Sequence, residues 1–256
     1  MDSDGHIYAA GGETVEKFSP DGAVLGSFTV SSQVTEFAVD RDGYAYVILT
    51  SSESQVLAFS PEAFRSGGMA KPIATLTATG YNNRFGPLAT DAAGRLYGGV
   101  YFGLDIFDHP HRTSTQSITI LPPDPKVNPD WARFSGALAF DEAQKLYANI
   151  GYQTYCEGRR CKAQYWQDTD FDAITGWRKP GRTDSMISAG ECSVNYSSYM
   201  FGGTVTGMDV HDGYLEAACT GDVVGVWVYR ADRFKRQHAI EMLGSLTSPT
   251  DAKVGP

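Results

Sequence analysis

The chain has 256 residues, 42% hydrophobic and 20% charged, with 28 glycines, 12 prolines, 14 tyrosines and 13 phenylalanines. Its net charge is −9, and its sequence has no cluster of Lys and Arg large enough to supply the basic face that phosphate binding by counterion release needs. The densest cationic group, Arg233, Lys235 and Arg236, reads as a solvated loop, so no nucleic-acid partner is expected. No apolar run approaches the roughly 20 residues of a membrane span, and no stretch keeps a helical period.

Residues 2–30 alternate turns with short strands. The turn Asp2-Ser3-Asp4-Gly5 precedes the strand His6–Ala10, and Gly11-Gly12 precedes Thr14–Phe18. Ser19-Pro20-Asp21-Gly22 then precedes Val24–Phe28. Further on, Phe37-Ala38-Val39-Asp40-Arg41-Asp42-Gly43-Tyr44-Ala45-Tyr46-Val47 reads as strand, tight turn, strand. Asp can accept hydrogen bonds from its own backbone there, and Gly takes the positive φ that the reversal requires. The unit recurs at Leu88–Tyr97, at Leu138–Tyr147 and, with one extra residue, at Met208–Leu215. A third-strand signature recurs in the same order: Val56–Pro61, Leu104–Pro110 and Val226–Arg230.

The anchor aspartates stand at 2, 40, 91, 141 and 209, with separations of 38, 51, 50 and 68 residues. Units of this length with four short strands predict the blades of a β-propeller. The fold class expected is all-β, a single propeller domain over 1–256 with five blades favoured and six as the alternative. A long insertion is expected at about 152–200, in blade four. The tail Ser248–Pro256 reads as the innermost strand of the blade whose other strands are residues 2–30. Pairing of Asp251–Val254 with that blade would close the ring and remove its open edge.

Thr250 to Val254, Asp4-Gly5-His6-Ile7-Tyr8 and Val15-Glu16-Lys17-Phe18-Ser19-Pro20-Asp21-Gly22-Ala23-Val24-Leu25-Gly26 resemble the NHL-repeat family of β-propellers. The resemblance covers blades one to three and five, roughly three quarters of the chain. It implies the propeller fold, and it spans RNA-binding modules, protein-binding modules, lyases and lactonase-like hydrolases. The insertion in blade four departs from the pattern, as does a count of five, since members usually have six blades. The lactonase-like relatives hold calcium through Glu, Asn and Asp at the axis; by that analogy Glu36 and Asn83 are the positions to inspect.

The anchor aspartates Asp40, Asp91, Asp141 and Asp209 are expected to cap turn amides rather than to form an acidic ring. No Gly-x-Ser-x-Gly elbow, His-Glu-x-x-His or phosphate loop is present. His109-Pro110-His111 reads as a surface turn. Gln167–Asp172 lacks the Gly and Glu of an EF-hand at Ala173 and Lys179, and reads as a solvated acidic loop. No cofactor is expected, with calcium as the open alternative.

The segments just before each inner strand should line one face of a propeller. There Arg84 and Arg133 stand one residue before Phe85 and Phe134, in equivalent places, beside Tyr81, Trp131 and Tyr199. Guanidinium and aromatic groups dominate recognition surfaces, so this patch, with Trp166 from the insertion, is the expected binding site. The alternative for both arginines is salt bridging between blades, and Phe85, Phe134 and Phe201 are expected in the core.

Cys156, Cys161, Cys192 and Cys219 leave three states open: bridges 156–161 and 192–219, buried thiols, or a metal site that lacks the usual Cys-x-x-Cys spacing. Asn195-Tyr196-Ser197 is a glycosylation sequon. The N-terminus shows no signal peptide, yet cysteines and sequon lean to an oxidising compartment, extracellular or at the cell surface. The expectation is a non-catalytic binding or scaffold module for a protein or glycan partner, of open oligomeric state. A lyase or calcium-dependent lactonase-like hydrolase is the alternative.

Overall fold

The computed structural model describes residues 1–78, 84–100, 103–108, 110–111, 118–120, 133–144, 146–151, 154–157, 160–163, 169–171, 204–220, 225–230 and 241–245. The described residues are all-β apart from a short 3₁₀ turn at Pro61–Arg65, and the chain divides into two compact units, Met1–Leu121 and Pro122–Pro256.

The first unit holds three antiparallel meanders. Strands β1 (Ile7–Gly11), β2 (Thr14–Phe18) and β3 (Val24–Thr29) form a three-stranded sheet. Four-stranded sheets follow: β4 (Val34–Val39), β5 (Ala45–Leu49), β6 (Gln55–Phe59) and β7 (Ala74–Thr77), then β8 (Phe85–Thr90), β9 (Leu96–Val100), β10 (Gly103–Phe107) and β11 (Ile118–Ile120). The second unit contains β12 (Arg133–Phe140), β13 (Leu146–Gly151), the hairpin β14 (Thr154–Glu157) with β15 (Arg160–Ala163), and β16 (Thr169–Phe171), which pairs with β13. A last meander comprises β17 (Thr204–His211), β18 (Tyr214–Thr220), β19 (Gly225–Arg230) and β20 (Glu241–Ser245). Four-stranded meanders of this kind are the units from which propeller blades are made.

One carboxylate organises the anchor turn at Asp2, at Asp40 and at Asp91. Asp40 Oδ1 accepts the amides of Asp42 at 3.0 Å and Tyr44 at 2.9 Å, while Oδ2 accepts the Tyr46 hydroxyl at 2.8 Å. Asp91 repeats this with Ala93 at 3.0 Å, Arg95 at 2.9 Å and the Tyr97 hydroxyl at 3.3 Å. Asp2 repeats it again with Asp4 and His6, both at 3.0 Å, and Tyr8 at 2.6 Å. The third residue after each carboxylate takes positive φ, at Gly5 (78°), Gly43 (83°) and Gly94 (78°). Gln144 (65°) occupies that place after Asp141. A left-handed Gly carries no Cβ penalty, which explains its recurrence.

The fifth copy corrects the sequence reading. Asp209 lies inside β17, opposite Glu216, with its side chain 59% exposed. The register puts His211 where Asp40 and Asp91 stand in their sheets, because His211 pairs with Tyr214 across only Asp212 and Gly213. Both linking residues have positive φ, 51° and 77°, the two-residue turn whose twist suits a hairpin. His211 Nε2 lies 3.9 Å from Glu216 Oε1, so an imidazole and a carboxylate replace the Asp–Tyr pair.

Burial follows the alternation of the strands. On β5, Ala45, Val47 and Leu49 join Val15, Phe28, Val30, Phe59 and Phe64 in the core beside the first sheet. Tyr46 and Ile48 join Phe85, Leu88, Leu96, Val100 and Phe107 beside the third. A strand covered on both faces explains the unbroken run Ala-Tyr-Val-Ile-Leu, since period-two side chains alternate between two cores. Phe28 and Phe59 have ring centroids 4.7 Å apart, and burying each phenyl contributes about 1.5–3 kcal/mol. The 3₁₀ turn drives Phe64 edge-on against Phe28 at 4.9 Å. Gly67 and Ala70 donate amides to Ser27 and Thr29, covering part of the outer edge of β3.

In the second unit the expected excursion at 152–200 contains β16, the third strand of its sheet. The acidic segment at 167–172 is therefore strand at its centre rather than loop, with Asp170 opposite Tyr147. Among the described residues no helix is long and apolar enough to cross a membrane.

Gly26 makes the tightest backbone approach in this core, because a Cβ there would overlap the Phe64 carbonyl oxygen. Gly11, on β1, has open space around the same position. Gly26→Ala should destabilise the chain by about 1–3 kcal/mol in denaturant titration, as overpacking does, whereas Gly11→Ala should stay within about 0.5 kcal/mol.

Candidate functional site

Each first strand of the second to fifth sheets carries a break in its register near its start. The breaks fall between Val34 and Glu36, Phe85 and Leu88, Phe134 and Leu138, and Val205 and Gly207. Such bulges bend a strand and re-aim the next side chains, and they gather beside functional sites. Glu36 follows the first of them directly and is opposite Ile48, the register position that Gly207 fills opposite Ala218. One residue before Leu88 and Leu138, the third and fourth sheets carry Pro87 and Ala137. Glu36 is thus the carboxylate that stands out at this level.

Its environment is unusual for an acid. Burial pushes the Glu36 carboxyl up to about 8, against hydrogen bonds from the backbone amides of Leu88 and Phe37 that favour its ionised form. At neutral pH the group is therefore mostly protonated: an acid placed just after a bulge within β4, hydrogen-bonded to the backbone of the next sheet.

Arg84, immediately before β8, is 64% exposed and forms an ion pair with Glu53 of the preceding sheet. The Phe85 amide also donates to the Glu53 carbonyl at 2.9 Å. The intersheet salt bridge weighed for this arginine is present, and its guanidinium still faces solvent. Phe85 is buried, as expected, 6.0 Å from Phe107 and under Gly98, where a Cβ would lie 2.7 Å from its ring. Arg133 opens β12 opposite Gly151, and Phe134 pairs with Ile150 as Phe85 pairs with Val100. The two arginines therefore do hold equivalent register positions. Tyr81, Asn83, Trp131, Trp166, Cys192, Tyr199 and Phe201 lie outside the described residues.

His111 departs from its expected surface position. Its side chain is 4% exposed, stacked on Tyr44 with centroids 3.8 Å apart. Nδ1 lies 3.1 Å from the Tyr46 hydroxyl, whose single proton already goes to Asp40. A hydroxyl has one proton to give, so His111 Nδ1 must donate, completing a chain from His111 through Tyr46 to Asp40. Burial raises the Asp40 carboxyl, while Tyr46, the Tyr44 amide and His111 oppose that rise. The tertiary return of the segment after β10 brings His111 here, and a Pro-containing turn by itself gives no hint of it.

Asp2, Asp4 and His6 form a ligand-like cluster. Asp2 already accepts Tyr8, His6 Nδ1 at 2.9 Å and Lys17 Nζ at 3.2 Å. Burial would raise its carboxyl, but these bonds hold it well below the usual range. An ammonium on the same oxygen makes this a structural knot.

No family model matches the chain, and no curated protein does. Among solved structures, Kuenenia stuttgartiensis hydrazine synthase aligns over 90% of this chain with a TM-score of 0.51 and 12% identity. The alignment takes in 61% of that chain, so this sequence spans about three fifths of its length. The Cps50 (Swd1) β-propeller domain of Myceliophteria thermophila aligns over 94% of this chain and 83% of its own, with a TM-score of 0.49 and 10% identity. At 12% identity the hydrazine synthase likeness is one of fold alone.

The Glu36 carboxyl sets a pH dependence with a definite sign. Its folded value of about 8 lies above the ordinary 4.5, so its contribution is complete below about pH 4.5 and is lost as pH rises through about 8. Chemical denaturation should therefore show stability falling by at least about 1 kcal/mol between pH 5 and pH 9. Glu36→Gln should flatten that part of the profile; an unchanged slope would mean that other groups set it.

Proposed function

We propose that the chain is a five-bladed β-propeller of NHL-like type and acts as a binding module for a protein or glycan, outside the cell or at its surface. The observation that carries this reading is the equivalence of Arg84 and Arg133. Both stand at the entry to a bulged inner strand, and Arg84 keeps its guanidinium in solvent while Glu53 holds it in place. An arginine steadied by an ion pair and offered at a rim loses less side-chain entropy on binding, and its planar fork suits carboxylate groups of a peptide or acidic sugar.

Ring closure has separate support. By their turns, β1, β5 and β9 are equivalent strands. β5 and β9 are buried along their whole length, whereas Ile7, Ala9 and Gly11 of β1 are exposed. Among the described residues β1 pairs with β2 alone, and in this reading Asp251–Val254, whose sequence matches an innermost strand, supplies its other neighbour. With cysteines introduced as Ala9→Cys and Ala252→Cys, oxidation should cross-link the two segments within one chain. Cross-linking only between chains would place the tail elsewhere.

A second reading rests on Glu36. A carboxyl protonated at neutral pH can serve as a general acid, as a lyase or lactonase-like hydrolase would require. Turnover of lactones or cyclic depsipeptides, with and without calcium, that Glu36→Gln abolishes would favour this enzyme.

For the binding reading, the full chain is screened against displayed peptides and a glycan panel. Arg84→Ala and Arg133→Ala should each weaken the retained ligand by about 1–3 kcal/mol while melting like the parent. Unchanged affinity in both variants places recognition away from this rim.

A further inference from the structure

The hairpin β14–β15 aligns two cysteines with no slip in register. Thr154 is opposite Ala163, Tyr155 opposite Lys162, Cys156 opposite Cys161 and Glu157 opposite Arg160. Two residues join the strands. In such a hairpin the closing pair, here Glu157 and Arg160, is the hydrogen-bonded type, and alternation makes Cys156 and Cys161 a non-hydrogen-bonded pair. Directly opposed residues share one face of the ladder, and at non-hydrogen-bonded positions their Cα atoms are about 4.5 Å apart, inside the range of about 4.4–6.8 Å that a disulfide spans. The backbone already has the separation that a bridge requires.

The local charge is asymmetric. In sequence Cys161 lies between Arg160 and Lys162, with Arg159 one residue further, and Cys156 between Tyr155 and Glu157; Arg160 is opposite Glu157, so Lys162, opposite Tyr155, is the strand cation with no carboxylate across from it. Cations near a thiol favour its thiolate, the form that attacks a disulfide, and a neighbouring carboxylate does the opposite. The closed loop from Cys156 to Cys161 would also be short, and short loops gain the least from constraint of the unfolded chain. A bridge here is easy to form and easy to reduce.

We propose that Cys156 and Cys161 form a reversible dithiol–disulfide pair, with Cys161 as the attacking thiol and Cys156 as the resolving one. A small-molecule disulfide such as oxidised glutathione is the oxidant. The Cys161 thiolate attacks one of its sulfurs, forming a mixed disulfide and releasing one glutathione thiolate. Cys156, having given up its proton, attacks the Cys161 sulfur and releases the second glutathione. Two protein thiols become one disulfide as one glutathione disulfide becomes two thiols, so the two electrons balance.

The test uses the full chain, reduced and then exposed to oxidised glutathione. Cleavage after Glu157 followed by mass spectrometry should find the Cys156 and Cys161 peptides joined, lighter by two hydrogen atoms than the separate pair, and released by dithiothreitol. Recovery of Cys156 joined to Cys192 or Cys219 would overturn the pairing, as would recovery of both thiols free or each still carrying glutathione. In the reduced chain, iodoacetamide should label Cys161 at least about threefold faster than Cys156 or Cys219 at neutral pH. Arg160→Gln with Lys162→Gln should remove that advantage. Equal labelling in the parent, or an advantage that survives the double variant, would overturn the assignment of the attacking thiol.

Discussion

The structure depends on a buried or half-buried carboxylate that satisfies the backbone of its own turn. Asp2, Asp40 and Asp91 each take amides from the second and fourth residues beyond and a tyrosine hydroxyl from the sixth. A reversal buried between sheets would otherwise leave amides without partners, and each such loss costs about 1–3 kcal/mol. The tyrosine then ties the turn to the strand that follows, so one side chain fixes both the reversal and the start of the next ladder. Neighbouring turns are joined as well. The Ser3 amide donates to the Arg41 carbonyl at 2.9 Å, and Thr90 Oγ1 donates to the Val39 carbonyl at 2.7 Å.

The sheets of the first unit use this frame to share hydrophobic cores. β5 belongs to two of them, so its sequence is set by neighbours on both sides and has no polar face. Polar groups that enter these layers do so with partners. Tyr46 brings its hydroxyl to Asp40, and His111 reaches from the third sheet to the same network. The hydroxyls of Tyr8 and Tyr46 are held protonated well beyond the usual range, first by burial and then by the carboxylates they serve.

Much of the architecture was legible because the turn residues repeat. Asp and Gly at fixed offsets mark the reversals, and alternating apolar residues mark the strands, so the meanders could be read in order. The failures share a physical cause. Asp209 looked like an anchor because spacing cannot reveal that a three-residue link has been replaced by two residues; His211 holds that place. His111 looked superficial because its burial is created by a sheet it meets only after folding. Of the rim, the equivalence of Arg84 and Arg133 was readable from Phe85 and Phe134, whereas the partner Glu53, 31 residues earlier, was not. Glu36 could be picked out by resemblance, but its protonation follows from burial and from Leu88, on another sheet.

The turn carboxylates also bear on how the chain folds. The two amides and the tyrosine hydroxyl that each carboxylate accepts lie within six residues, so a hairpin can close and satisfy its amides before any distant segment arrives. Closing so short a loop takes tens of nanoseconds, and a hairpin about 1–10 μs. What is slow is the stacking of finished sheets, each waiting for the one beside it. The chain can thus form its hairpins locally, leaving the pairing of β13 with β16 and the stacking of sheets to later association.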